Sequence, residues 1–126
     1  MMQLVPLDHG AMIDRSKMPQ VDMSKLPDLL VYLGRRGINF RAGVSEPIKL
    51  RLHQEVDVAK AMAIPDFVLR IPVMLSSGLY VLDGDHRAYR HYVDRTLVPF
   101  IQLEASVTRA VKALLEFPAT FTLPAS

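Results

Sequence analysis

The sequence predicts one small α+β domain, a mixed sheet with flanking helices, and three observations carry that expectation. Residues 72–75 and 79–82 are short apolar runs separated by Ser76, Ser77 and Gly78. That is the pattern of a hairpin in which glycine supplies the unusual backbone angle, and a hairpin favours a mixed or antiparallel sheet over a purely parallel one. Leu26, Leu29, Leu30 and Leu33, and later Val107, Ala110, Val111, Leu114 and Leu115, recur at helical spacing. Strand-like and helix-like stretches interleave along 126 residues, a length that supports one core and not two.

In chain order, residues 1–22 have mixed polarity and no sustained period, and read as a loosely attached arm with a short strand at 3–7. Residues 23–126 read as the single domain. Ser24 is placed to cap the first helix, with Pro27 tolerated in its first turn and Gly34 and Gly37 ending it. Arg35 and Arg36 suit its negative end. Residues 38–47, with Gly43 and Pro47, read as a loop with some extended character, and 48–52 as a short strand. Residues 53–62 read as a helix with early acids and a late Lys60, stopped by Pro65. After the hairpin, Gly84 opens a helix to about Arg95. Residues 98–103 form another strand and 106–117 a helix capped by Ser106. There is no internal repeat and no low-complexity segment.

Composition removes several classes of function. There is no cysteine, so thiol catalysis, disulfides, Cys-based zinc sites and iron–sulfur clusters are excluded. Half the residues are hydrophobic, which argues against general disorder. Lys and Arg number 15 against 13 Asp and Glu, a balance that admits nucleic-acid binding without arguing for it. No apolar run reaches the roughly 20 residues needed to span a bilayer. The start of the sequence lacks the pattern of an export signal. A cytoplasmic protein with no membrane partner is expected.

The chemistry concentrates at Val81-Leu82-Asp83-Gly84-Asp85-His86-Arg87, a strand running through a glycine into a helix. The first turn of a helix has N–H groups without intrahelical partners, and with the helix dipole they favour an anion. Gly84 permits close approach, and His86 and Arg87 add donors. Gly84, Asp85, His86 and Arg87 are therefore the candidate phosphate-binding residues. Asp83 and Asp85 would repel a bare phosphate. They fit better with a divalent cation between them and the phosphate, as magnesium commonly binds. Asp85 as a helix cap remains an open alternative.

The stretch from Tyr80 to Tyr89, with Gly84-Asp85-His86-Arg87 at its centre, resembles the signature of the ParB/sulfiredoxin superfamily. There a strand leads through a glycine and two further residues to an arginine that opens a helix. Val98-Pro99-Phe100-Ile101 resembles the proline-bearing strand that follows. Ile48 to Val56, with the Gln54-Glu55 pair, resembles the upstream strand-to-helix segment. The resemblance covers about residues 46–104. It implies a ParB/sulfiredoxin-like fold, a nucleotide (ATP, ADP or CTP) with Mg2+ as cofactor, and phosphate contacts at Gly84, His86 and Arg87. Asp85 stands where sulfiredoxin has its cysteine, so sulfinic acid reduction is not expected. The DNA-reading domain of a partition protein is not expected after residue 104. Small free-standing domains of this kind are frequent on phages and plasmids.

Glu55 is a candidate general base or metal ligand, with favourable placement at a helix N-terminus as the plainer reading. His86 is the candidate acid. His53, His86 and His91 lack any conventional zinc spacing. Arg87, Arg90 and Arg95 with Tyr89 and Tyr92 admit a nucleic-acid track. Asp85 and Asp94 on the same helix favour an ordinary amphipathic face. The leading expectation is a nucleotide-phosphate-binding domain with metal-dependent nucleotide hydrolysis or DNA nuclease activity. The alternative is a non-enzymatic module that binds DNA or a host protein. Either can form a homodimer through the apolar stripe of the last helix.

Overall fold

The computed structural model describes residues 2–3, 7–9 and 13–123. The elements are, in order, β1 (Met2–Gln3), β2 (Asp8–His9), β3 (Gln20–Val21), α1 (Leu26–Arg35), β4 (Phe40–Ser45), β5 (Arg51–Leu52), β6 (Val56–Asp57), α2 (Val58–Met62), α3 (Asp66–Leu69), β7 (Val73–Leu75), β8 (Val81–Asp83), α4 (Asp85–Asp94), β9 (Val98–Leu103), α5 (Val107–Leu115) and β10 (Thr120–Phe121). The class is α+β with a small mixed sheet and flanking helices.

The sheet has the order β4-β9-β7-β8. β4 runs antiparallel to β9, β9 parallel to β7, and β7 antiparallel to β8. Because side chains alternate across a strand, the central strands feed two cores. Met74, Leu82, Ile101 and Leu103 pack with Leu29 and Leu33 of α1 and with Ala110 and Leu114 of α5. Val73, Leu75, Val81, Val98 and Phe100 pack with Ala61 of α2 and Ala88 of α4. Gln102 is the buried polar residue of β9. Its amide donates to Ser76 O at 3.1 Å and accepts from Arg41 Nε at 2.6 Å, so its burial leaves both ends of the amide satisfied.

The hairpin, α4, β9 and α5 form where the spacing places them. The turn of the hairpin uses positive φ at both Gly78 and Leu79. Ser106 accepts from Arg109 N, as a cap should. Elsewhere the structure corrects the expectations. Ser24 does not cap α1. It lies in a 3-10 turn whose cap is Asp22, and Asp22 accepts from both the Ser24 N–H and the Ser24 hydroxyl. Residues 40–45 are a full strand, hidden in the sequence by Gly43 and by the exposure of nearly every side chain. The expected strand at 48–52 is a 3-10 turn, Pro47–Lys49, followed by the two residues of β5.

The expected helix over 53–62 begins only at Val58. Asp57 caps it, accepting from Lys60 N, and Val56 and Asp57 are extended before it. Asp57 competes for the helix start better than His53 or Gln54 can, since a short carboxylate reaches its own following amides. Within the arm, the described residues include three short pairings. Leu7, Met18 and Val21 are buried, and β1, β2 and β3 pair with β6, β5 and β10. Part of the strand expected at 3–7 lies outside the described residues.

Candidate functional site

β8 ends at Asp83, and α4 begins two residues later. Gly84 makes the turn with φ +114° and ψ 26°. A methyl group there would come within 2.6 Å of Val73 Cγ1 and 3.0 Å of Arg87 Nη2, so both backbone angle and packing select glycine. As a cap, glycine has no side chain to offer the first turn. The first intrahelical bond of this end is Ala88 N to Gly84 O, leaving the earlier amides without an intrahelical carbonyl.

The two carboxylates flanking the glycine are both buried. Asp83 Oδ2 accepts from Val21 N at 3.1 Å, and its Oδ1 lies 3.6 Å from Arg87 Nη2. Burial pushes its pKa up, against the pull of Arg87 and of the Val21 amide. Asp85 is 7% exposed, and its Oδ1 is buried without a hydrogen-bond partner. Burial, and then the neighbouring Asp83 charge, hold the Asp85 carboxyl well above the usual carboxylate range, with Arg87 opposing. Asp85 does not act as a side-chain cap of α4, which resolves the alternative the sequence leaves open.

Arg87 faces inward. Its Nη1 donates to Ile71 O and Pro72 O, each at 3.0 Å, tying α4 to the entry of β7. Burial lowers its pKa, while Asp83 and Asp85 raise it. His86 Nε2 accepts from Asp57 N at 3.1 Å and so joins the start of α4 to the start of α2. In that arrangement the ring proton sits on Nδ1.

These residues line a cavity of about 810 Å³. Asp83, Gly84, Asp85, His86 and Arg87 form one end, with Gln54, Asp57 and Lys60 beside them. Ile64, Val68 and Ile71 form an aliphatic wall. The chain ends also line it: Gln20, Val21 and Met23 of the N-terminal arm, with the Val21 N–H on Asp83, and Ala119, Phe121 and Leu123 of the tail. The volume falls in the range of small-molecule and cofactor sites.

The structure thus brings together Asp83, Gly84, Asp85, His86 and Arg87. It does not bring in Glu55, which is exposed and outside the cavity walls. Its neighbour Gln54 faces the cavity instead, with a buried Nε2 that lacks a partner. Gln54 lies in the bend before β6 and Glu55 just after it, so the two neighbours do not share the helical face that made Glu55 the candidate. The wall from β3 and β10 has no local signal in the sequence. It arises from pairing of segments a hundred residues apart.

The remaining candidates have structural work. His91 contacts Thr96 Oγ1 at 2.8 Å through Nδ1 and Leu69 O at 3.0 Å through Nε2. His53 stacks on Tyr80. Arg90 donates to Met62 O at 2.8 Å and pairs with Asp94. Tyr89 and Tyr92 pack on the second core. The arginines of α4 therefore do not form an outward track for nucleic acid. Among the described residues no group of three or more His, Cys, Asp or Glu is assembled for a metal ion. Asp83 and Asp85 are a two-carboxylate set, the kind magnesium takes together with phosphate oxygens and water.

No family model, no curated protein and no solved structure matches this chain.

Proposed function

We propose that the cavity at the start of α4 binds the phosphates of a nucleotide together with a divalent cation, in a ParB/sulfiredoxin-like domain. The observation that carries this reading is the buried, unpartnered Asp85 Oδ1 beside the uncapped first turn of α4. The first-turn amides and the helix dipole offer an anion site. A buried carboxylate oxygen with no partner is costly unless a ligand or cation completes it. The two features together call for an anion that arrives with a cation. Asp83 and Asp85 would hold Mg2+, which would neutralise phosphate charge and favour phosphoryl chemistry. The Gly84 turn would approach the phosphate, Lys60 would face it, and Ile64 and Val68 would pack against the base.

Arg87 supports the phosphate site by position rather than as a free clamp, since Nη1 is engaged by Ile71 and Pro72. His86 lines the same cavity, with its Nε2 taken by Asp57. Nucleotide hydrolysis and DNA phosphodiester cleavage are the reactions such a site can serve.

Calorimetric titration with ATP, ADP and CTP, with and without Mg2+, tests the reading. Binding should require Mg2+, and Asp85→Asn, which keeps the shape and removes the charge, should abolish the Mg2+ dependence. No heat with any of the three nucleotides would sink the proposal, as would unchanged binding in Asp85→Asn. The internal engagement of Arg87 also favours a second reading, a module that keeps the turn as scaffold and binds DNA or a host protein. Incubation with plasmid DNA and Mg2+ or Mn2+ separates them. Nicking lost in Asp83→Asn supports the enzyme, and a mobility shift without nicking supports the module.

A further inference from the structure

The two edges of the four-stranded sheet are treated differently. β8 is three residues long and wholly buried. β4 is six residues long and exposed along most of its length, and among the described residues no strand pairs with its outer side. Natural edges are commonly blunted by lysine, proline or a bulge. β4 has none of these, and Arg41 is its one charged residue.

The direction of its backbone groups follows from the register with β9. Asn39 O accepts from Glu104 N at 2.8 Å, so Asn39 and Glu104 are a hydrogen-bonded pair. Hydrogen-bonded and non-bonded pairs alternate along an antiparallel ladder. Arg41, Gly43 and Ser45 therefore bond inward to β9, while Phe40, Ala42 and Val44 direct N–H and C=O outward. Pro99 supports the assignment, because it has no N–H and sits opposite Val44, where no bond to β4 is made. The same three residues share a face of the sheet, lying opposite Leu103, Ile101 and Pro99. Phe40 is 44% exposed and Val44 62%.

We propose that this edge pairs antiparallel with the same edge of a second copy of the chain, in the register that sets Ala42 opposite Ala42. A two-fold axis normal to the sheet keeps each face on its own side, so only residues of like parity can oppose. Within that set, the register centred on Ala42 puts Phe40 opposite Val44 and Arg41 opposite Gly43. Shifting the centre to Arg41 would oppose two like charges. Shifting it to Gly43 would set Phe40 against Glu46. Charge and apolar match thus select one register. It also makes the outward N–H and C=O groups of Phe40, Ala42 and Val44 face their own counterparts. Ile48, Val93 and Leu97 extend the exposed apolar surface past the Ser45 end, where they line a groove of about 460 Å³. The second copy is the occupant because the strand complements itself in hydrogen bonding and apolar pairing, in a register that keeps its two Arg41 side chains from opposing each other.

Sedimentation equilibrium from about 1 to 200 µM tests the proposal, a range suited to an interface smaller than the standard size. The wild type should show a concentration-dependent dimer, with the Ala42 amide exchanging more slowly as concentration rises. Ala42→Pro removes an outward donor and no bond to β9. It should weaken the dimer at least about tenfold and leave the melting temperature in place. Val44→Lys should do the same through a charge on the edge. A wild type monomeric throughout that range overturns the proposal, whether or not the edge takes a strand from another protein. A dimer unchanged by Val44→Lys overturns it too, even if Ala42→Pro fails to fold.

Discussion

A methyl group at Gly84 would meet Val73 Cγ1 and hold a backbone angle that L side chains rarely adopt. Left-handed strain and overpacking in a buried strand each cost a few kcal/mol. Gly84→Ala should therefore lose about 2–4 kcal/mol in urea unfolding, and a loss below ~1 kcal/mol would contradict the turn described. Asp85 makes a prediction of opposite sign. Its carboxyl keeps its proton more tightly in the folded chain than in the unfolded one. Between the ordinary carboxylate range and that raised value, the folded state binds more protons. Stability contributed by the neutral acid is then full at low pH and is lost as pH rises through the window. The Asp85 contribution to the wild-type melting temperature should fall from about pH 4 upward, where an unfolded aspartate begins to ionise. Asp85→Asn should flatten that slope and raise the melting temperature at neutral pH. A variant no more stable than wild type at pH 7 would show that Asp85 is comfortably ionised. The shape of the turn was legible in the sequence, since Gly84 does take a positive φ between β8 and α4. What could not be read was where Arg87 points, because its partners are backbone carbonyls of Ile71 and Pro72, which any sequence supplies.

At the scale of elements, α2 is five residues long and cannot be stable by propensity alone. Asp57 holds its N-terminus and Arg90 its C-terminal carbonyls, at 2.8 Å to Met62 O and 3.4 Å to Ala61 O. A guanidinium at the negative end of a helix also suits the dipole. Arg90→Met keeps the aliphatic stem and removes those bonds. It should cost roughly 1–3 kcal/mol, with faster amide exchange confined to α2 and α3. Uniform exchange changes, or a cost under ~0.5 kcal/mol, would mean that Arg90 does not hold α2. Elements with a strong period, such as α1, α4 and α5, were legible because burial of one face imposes 3.6-residue spacing. β4 was not, because an exposed edge strand has no buried face to impose alternation. The stretch from His53 to Asp57 was misread for a related reason. Its acids suit a helix start, but Asp57 is the one that caps, and Val56 and Asp57 are drawn into pairing with β1.

At the scale of the whole molecule, three two-residue ladders tie the N-terminal arm to β6, β5 and the tail. Dipeptide strands carry no periodicity, so none of these pairings had a signature in the sequence. They decide the shape of the site. β3 and β10 pair Val21 with Thr120 and Gln20 with Phe121, and residues of both strands line the cavity. The tail contributes little to the cores beyond Phe117. Ala119 is half-buried and Phe121 is 54% exposed, which leaves it apolar surface for a ligand to cover. Removing residues 119–126 should therefore separate binding from folding. The melting temperature should fall by only a few degrees, since little apolar area is lost from the interior. Affinity for the magnesium nucleotide should drop about tenfold or more, because the aliphatic wall at Ile64 and Val68 then faces solvent on its open side. Calorimetry on the truncated chain, beside its melting curve, reads both quantities. Full affinity without the tail would place the ligand outside this cavity. A collapse in stability would instead make the clasp of the two chain ends part of the fold itself.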